Sequence, residues 1–201
     1  MNKLDRVKKI VIATKNEGKL REMREAFQDV AEIVPLKDFG DLPDAAEDGE
    51  TFAENALIKA EFYRKKTGEA CLADDSGLEI AVLGNAPGVH SARFAGFHAD
   101  DVANNEKMLA ELKKIGATKS PAAYKCVLAF ADTDGSVLTT EGICEGEIRT
   151  VAKGNGGFGY DPYFYVGEKT LAELSLAEKD LISHRGKALR LMTEKLKEKF
   201  G

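Results

Sequence analysis

The sequence predicts a mixed α/β fold, on three observations. Apolar runs of strand character alternate with segments of helical periodicity. The first such pair is a buried strand that passes almost directly into an amphipathic helix. A long hairpin in the middle of the chain requires antiparallel pairing, so the sheet is mixed rather than purely parallel. With 201 residues and 43% hydrophobic content the chain can bury a sizeable core. That size suits a single domain over residues 1–201, or one domain with a lobe.

Residues 9–14 are an apolar run that predicts a strand, and 17–27 a helix, because Leu20, Met23 and Phe27 recur at helical spacing. A second strand is expected over 32–36, stopped by the Pro-, Gly- and Asp-rich stretch 37–49. The next helix should start at Thr51, with Glu54 completing a capping box and Phe52, Ala56, Ala60 and Tyr63 on one face. Residues 70–73 predict a short strand ending in Asp74-Asp75-Ser76-Gly77, and 78–83 another before the turn Asn85-Ala86-Pro87-Gly88. A helix is expected over 101–115. Segments 124–131 and 136–149, joined by Asp132-Thr133-Asp134-Gly135, have the pattern of a hairpin. The glycine-rich stretch 154–159 leads to an aromatic strand over 162–166. A final helix over 183–200 puts Leu189, Met192 and Leu196 on one face.

Acidic side chains outnumber basic ones 34 to 29, for a net charge of -5. That balance argues against a grip on a nucleic acid polymer, while a local cluster of lysine and arginine can still bind a nucleotide. Cys71, Cys126 and Cys144 sit in apolar stretches without zinc-ligand spacing and read as reduced core residues. With only His90, His98 and His184 available, any metal should be hard and oxygen-bound. No signal-peptide pattern follows Met1, and no apolar run approaches the ~20 residues of a membrane span. The expectation is a cytoplasmic protein without a membrane partner.

Several stretches carry the residue types of phosphate chemistry. Thr14-Lys15-Asn16-Glu17-Gly18-Lys19 lies where a strand hands over to a helix, so backbone N–H groups and a lysine converge at the positive end of the helix dipole. It is not a Walker A loop, because the glycine spacing differs and no Ser or Thr follows Lys19. A tight turn with a solvated lysine has the same pattern. Asp74 and Asp75 would repel unless a cation lay beside them. At a strand end they would point to opposite sides, one holding a metal while the other closes a turn; a plain Asx turn is the alternative. Glu47-Asp48-Gly49-Glu50 adds acidic groups ahead of a helix. Asn55 and Lys59, four apart, share a helix face that either lines the same crevice or stands exposed.

Ser183-His184-Arg185 places two basic groups in the first turn of a helix, against its dipole, with Lys179 shortly upstream. A phosphate or an electron-rich base edge would compensate them, whereas a solvated turn would need no compensation. Residues 154–162 combine flexible backbone with Phe158, Tyr160 and Asp161. The rings can stack on a planar base or tuck into the core.

Taken together these motifs resemble the inosine triphosphate pyrophosphatase family, enzymes that act on ITP, dITP and XTP. The resemblance runs from about Ile10 to the end of the last helix. It rests on six motifs in one order: Thr14 to Lys19, Thr51 to Ala56, Ala73 to Leu78, Pro87 to Arg93, Gly157 to Pro162 and Ser183 to Arg185. It implies an elongated mixed sheet flanked by helices, two lobes with a central cleft, a homodimer, Mg as cofactor and a purine nucleoside triphosphate cleaved to monophosphate and pyrophosphate. By motif position it implies Asp75 as proton acceptor and metal contact, Glu47 as second acidic ligand, and Lys19 in catalysis. Thr14, Asn16, Lys19 and Ser76 fall on the phosphate side, and Lys59 joins the substrate-binding set. Phe158, Gly159, Tyr160, Asp161, Lys179, His184 and Arg185 fall on the base side. The chain departs from the family at His90, where a tyrosine is frequent, and the acidic segment before Gly49 is variable.

Overall fold

The computed structural model describes residues 8–96 and 100–201; the extension before Lys8 and His98 lie outside the described residues. In chain order the elements are β1 (Lys9–Ile12), α1 (Glu17–Phe27), β2 (Glu32–Pro35), α2 (Phe52–Thr67), β3 (Cys71–Ile80) and α3 (Asp101–Lys114). They continue with β4 (Lys119–Ala131), β5 (Val137–Arg149), β6 (Phe164–Val166), β7 (Lys169–Thr170), α4 (Leu176–Ile182) and α5 (His184–Phe200). The strands form one seven-stranded sheet in the order β2-β1-β3-β4-β5-β6-β7. Strand β1 pairs parallel with β2 and β3, while β6 pairs antiparallel with β5 and β7. The mixed α/β class expected from the sequence is therefore the one observed.

Local signals placed several elements well. Helix α1 has the expected bounds and buries Leu20, Met23 and Phe27. At the start of α2 the Glu54 N–H donates to Thr51 Oγ1 at 3.1 Å and the Thr51 N–H donates to Glu54 Oε2 at 3.0 Å, the reciprocal capping box. Phe52, Ala56, Ala60 and Tyr63 are buried as their spacing requires. In the β4–β5 turn the Asp132 N–H donates to Ser136 O and the Gly135 N–H to Asp132 O.

Several elements differ from expectation: the strand expected over 162–166 is confined to Phe164–Val166 because Asp161–Tyr163 is a 3-10 turn, β4 begins at Lys119 rather than at 124, and two differences are larger. Residues 70–73 and 78–83 do not make two strands; a single ten-residue strand, β3, runs straight through Asp74-Asp75-Ser76-Gly77, and Ala81–Leu83 is a 3-10 turn. Turn propensity in Asp, Ser and Gly comes from side chains that bond the local backbone. Here Asp74 instead takes the Lys19 ammonium as partner, so that local competition is removed. The expected helix over 183–200 begins at His184 and is preceded by a separate helix, α4. Its start signal was present in the sequence: Ser175 and Glu178 form a capping box. Ser183 is extended, with ψ 150°, and its Oγ accepts the Gly186 N–H at 3.0 Å, so one helix stops and the next is capped at the same residue.

The chain divides into two compact units. The first comprises Met1–Asp75, Val127–Glu141 and Ala188–Gly201, and the second Ser76–Cys126 and Gly142–Lys187. In the first, Ile10, Val11, Ile12, Met23, Phe27, Leu72, Phe130, Met192 and Leu196 are buried. In the second, Leu78, Ile80, Met108, Leu112, Tyr124, Ile148, Tyr160, Phe164 and Leu171 form a continuous apolar cluster. The three cysteines are buried and form no disulfide among the described residues. Among the described residues no helix is long and apolar enough to cross a membrane.

Candidate functional site

In the first unit, lysines and carboxylates converge on the middle of β3. The β1–α1 turn is fixed by its own side chains: the Asn16 N–H donates to Thr14 Oγ1 at 3.1 Å, and Asn16 Oδ1 caps α1 by accepting the Lys19 N–H at 3.1 Å. That cap orients Lys19, whose Nζ lies 2.7 Å from Asp74 Oδ2. The Asp74 side chain is only 2% exposed, so the ion pair neutralises a carboxylate deep in the protein. Lys59, on α2, donates to the Asp74 carbonyl at 3.0 Å and pairs with Glu47 Oε2 at 2.8 Å. Neither lysine is a solvated surface charge.

Asn55 is buried rather than exposed. Its Oδ1 accepts the Gly49 N–H at 2.8 Å and its Nδ2 donates to the Gly49 carbonyl at 3.3 Å, fastening the acidic loop to α2. The approach needs glycine, because a Cβ at position 49 would lie 2.7 Å from Glu54 Cβ and 2.8 Å from Asn55 Oδ1. Gly49→Ala is expected to displace the loop that carries Glu47 and to cost about 1–3 kcal/mol, typical of overpacking. Denaturant unfolding checks it, and an unchanged midpoint would contradict the close packing.

Asp75, on the opposite side of the strand from Asp74, has its pKa raised from 3.8 to about 6. Burial is the main cause; Asp74 and Glu47 add to it, while Lys59 and a hydrogen bond from Asn55 oppose it. Of its two oxygens, Oδ2 is buried and accepts no hydrogen bond from the described residues. A carboxyl whose pKa is raised toward neutrality by burial is chemically able to take up a proton near neutral pH.

In the second unit the glycine-rich loop wraps around Asp161, which is 3% exposed. Asp161 Oδ2 accepts the Phe158 N–H at 2.9 Å and the Lys179 ammonium at 2.6 Å. Gly157 has φ +75°, and a Cβ there would collide with that same carboxylate oxygen, so the motif needs its glycine. The two aromatic rings part company. Tyr160 is buried and its hydroxyl donates to the Ser91 carbonyl at 2.8 Å, whereas Phe158 is 52% exposed. Over the Phe158 ring stand Lys179 Nζ, 4.6 Å from the centroid, and Arg185 Cζ at 5.8 Å. Arg185 Nη2 also donates to Ser76 Oγ at 3.3 Å. His184 stacks on Tyr124 with centroids 4.8 Å apart and planes 8° from parallel. His184 and Arg185 are 6% and 5% exposed, so the solvated-turn reading of that motif does not hold.

The structure thus gathers Thr14, Asn16, Lys19, Glu47, Lys59 and Asp75 in one unit and Ser76, Phe158, Gly159, Tyr160, Asp161, Lys179, His184 and Arg185 in the other. Sequence reading missed the residues that hold them. Tyr124 supports His184 and accepts the Tyr160 N–H at 3.2 Å, and nothing in a lone tyrosine on a strand advertises that role. Ser91 Oγ accepts the Leu78 N–H at 2.8 Å, which gives a task to the Pro87-to-Arg93 motif. Asn104 and Asn105, two poor helix formers in succession inside α3, were a legible signal that their side chains bind elsewhere.

A lysine–carboxylate group at a helix N-terminus has the chemistry to receive phosphate, and an exposed aromatic ring flanked by cations has the chemistry to receive a flat ring; an α/β protein carrying both is of a kind suited to nucleotides. The chain belongs to the Ham1 family, whose model matches residues 10–195. It is 48% identical over 189 residues to a dITP/XTP pyrophosphatase of Desulforamulus reducens, covering 92% of this chain and 94% of that protein. To a dITP/XTP pyrophosphatase of Bacillus cereus it is 46% identical over 202 residues, covering 98% of each. Among solved structures, a HAM1 protein from Coxiella burnetii matches with a TM-score of 0.89 at 43% identity, over 95% of this chain and 99% of that one.

Proposed function

We propose that this chain is a nucleoside triphosphate pyrophosphatase that hydrolyses deaminated purine nucleotides, ITP, dITP and XTP, to the monophosphate and pyrophosphate. The observation that carries the mechanism is Asp75 Oδ2, buried and without a hydrogen-bond partner among the described residues, on a carboxyl whose pKa is raised to about 6. Asp75 accepts a proton there from the water that attacks the α-phosphorus, and pyrophosphate leaves without a covalent enzyme intermediate. Lys19, Lys59, Thr14 and the N-terminus of α1 hold the phosphates and offset the negative charge that grows in the transition state. Because catalysis then rests on positioned charge, no nucleophilic serine or cysteine is required.

The donor set suits magnesium. Among the described residues no group of three or more His, Cys, Asp or Glu side chains forms a metal cage. Mg²⁺ is commonly held by one or two carboxylates together with substrate phosphates, which Asp75 and Glu47 supply. Bound there, it would neutralise phosphate oxygens and favour departure of pyrophosphate. The homodimer and the cytoplasmic setting implied by the family resemblance belong to the same proposal.

On the base side, Phe158 stacks on the purine, and Arg185 with Lys179 offers donors to a 6-oxo group. Adenine would oppose its own amino donor to them and leave buried groups unpaired, a mismatch worth ~1–3 kcal/mol per group. Phe158→Ala should therefore raise the KM for ITP by roughly 5–150-fold, the equivalent of ~1–3 kcal/mol of stacking, with kcat nearly kept. Steady-state kinetics with ITP check it, and an unchanged KM would remove Phe158 from base binding.

The function itself is tested by incubating the purified protein with Mg²⁺ and ITP, XTP, dITP, ATP or GTP and assaying pyrophosphate and orthophosphate in parallel. Pyrophosphate from the deaminated nucleotides, with little from ATP or GTP, is the expected result. Orthophosphate alone would mean a phosphatase, and nucleotide binding without turnover a regulatory module.

A further inference from the structure

Gly159 sits between Phe158 and Tyr160, and both of its main-chain polar groups are taken by side chains of α3. Its N–H donates to Asp101 Oδ2 at 2.7 Å, and its carbonyl accepts from Asn105 Nδ2 at 2.9 Å. These contacts reach across 58 and 54 residues of sequence, so they are tertiary fastenings and not turn geometry. Asn105 Nδ2 also donates to the Asp101 carbonyl at 2.9 Å, which ties the two clamp residues to each other. The orientation of the Asn105 amide is settled by chemistry. Two carbonyl oxygens face its NH₂ group, and its Oδ1 is buried without a partner among the described residues, so a flipped amide would set oxygen against oxygen.

The same helix holds a second segment. Asn104, 2% exposed, accepts the Ala95 N–H on Oδ1 at 2.7 Å and donates from Nδ2 to the Ala92 carbonyl at 3.3 Å. Ala92 follows Ser91, whose carbonyl receives the Tyr160 hydroxyl. The first two turns of α3 therefore fasten the Phe158–Tyr160 loop directly through Gly159 and indirectly through the Ser91 segment. The neighbouring peptides are held by other elements: the Phe158 N–H by Asp161 and the Tyr160 N–H by Tyr124. Without the clamp, the Phe158–Gly159 peptide would lose the Asp101 acceptor of its N–H, and the Gly159–Tyr160 peptide would keep only its Tyr124 contact among the described residues.

We propose that Asp101 and Asn105 are positioning residues for purine recognition: they fix the Gly159 main chain so that Phe158 is presented to the base in one orientation. This rests on the reading of Phe158 as the stacking platform. Neither residue touches the reacting phosphates, so its loss should act on KM and leave kcat nearly unchanged. A pre-ordered platform spares the substrate the entropy of ordering it, and a displaced one loses stacking.

The test uses Asp101→Ala, Asp101→Asn, Asn105→Ala and Asn105→Asp, each assayed with ITP and by hydrogen–deuterium exchange of the peptide spanning 156–163. Asn105→Asp has the shape of the native residue but turns a donor into a carboxylate facing two carbonyls, and should raise KM about tenfold or more with kcat within about threefold. Asp101→Ala and Asn105→Ala should raise KM by about tenfold and speed exchange in the 156–163 peptide, whereas Asp101→Asn keeps an acceptor for the Gly159 N–H and should stay within about threefold of wild type. A purely structural role would instead lower the Tm with KM and kcat unchanged in the folded fraction, and that result overturns the proposal. Unchanged exchange overturns the clamp, and faster exchange with unchanged KM overturns its role in recognition. A wild-type protein that releases no pyrophosphate from ITP would count against the functional reading, while exchange would still report whether the clamp exists.

Discussion

Asp75→Asn should slow pyrophosphate release from ITP by about two to four orders of magnitude, the range lost when a general base is removed, and at the same time make the metal-free protein more stable at neutral pH. The second half follows from linkage. The Asp75 carboxyl has a pKa near 3.8 when unfolded and about 6 when folded, so the folded state holds the proton more tightly. The stability this brings is complete below pH ~3.8, is lost as the pH rises through about 6, and is absent above that. At about 1.4 kcal/mol per pKa unit the difference amounts to roughly 2–3 kcal/mol. Asparagine cannot ionise and escapes the loss, so the Tm of the variant should exceed that of wild type by roughly 5 °C at pH 7.5 and converge with it near pH 4. Thermal unfolding in chelator across that pH range measures it. Equal Tm values at pH 7.5 would mean that Asp75 is solvated and ordinary, and full activity in the variant would remove it as the base.

Lys19→Met should do the reverse on stability and also impair activity. Methionine keeps most of the side-chain volume but leaves Asp74, with 2% of its side chain exposed, without the ammonium 2.7 Å away. Removing one member of a buried ion pair typically costs about 3–5 kcal/mol, because the remaining charge stays desolvated. Since Lys59 also reaches the Asp74 carbonyl, the lower part of that range is expected. Turnover should fall by about 10²-fold or more with the loss of a cation on the phosphate side. The double variant Lys19→Met, Asp74→Asn separates the two effects: it should recover most of the stability in urea unfolding and none of the turnover. Recovery of both would reduce Lys19 to a counter-ion for Asp74.

The two expected outcomes rest on one contrast within the strand. Asp74 and Asp75 are neighbours in sequence with opposite circumstances: one is neutralised by a lysine, the other is buried with too little compensation. Loss of the first one's partner should destabilise the fold, whereas the second should cost stability at neutral pH, the pattern expected if Asp75 has the role proposed for it.

Much of the fold was legible because its signals are local. The capping box Thr51–Glu54, the period of Leu20, Met23 and Phe27, and the Asp132–Gly135 turn each depend on residues within a few positions of one another. The family was legible because six short motifs occur in one order. The interior of β3 was not, since Asp74-Asp75-Ser76-Gly77 has turn composition, and its pairing in the sheet and the partners of Asp74 on α1 and α2 come from distant segments. Nor was the division of labour between Phe158 and Tyr160, two aromatic residues with the same local context and opposite burial.

What the sequence determined by itself was therefore the class of fold, most element boundaries and the set of chemically able residues. Tertiary structure decided which of those residues are charged, buried or presented. Lys19 meets Asp74 across 55 residues and Arg185 meets Ser76 across 109, and the Asp75 pKa is the sum of burial and of charges from three segments. Helix caps and hydrophobic periods act over one or two turns of chain, whereas desolvation and ion pairing act between whichever side chains the packed fold brings together, and so are set only when the chain has closed on itself.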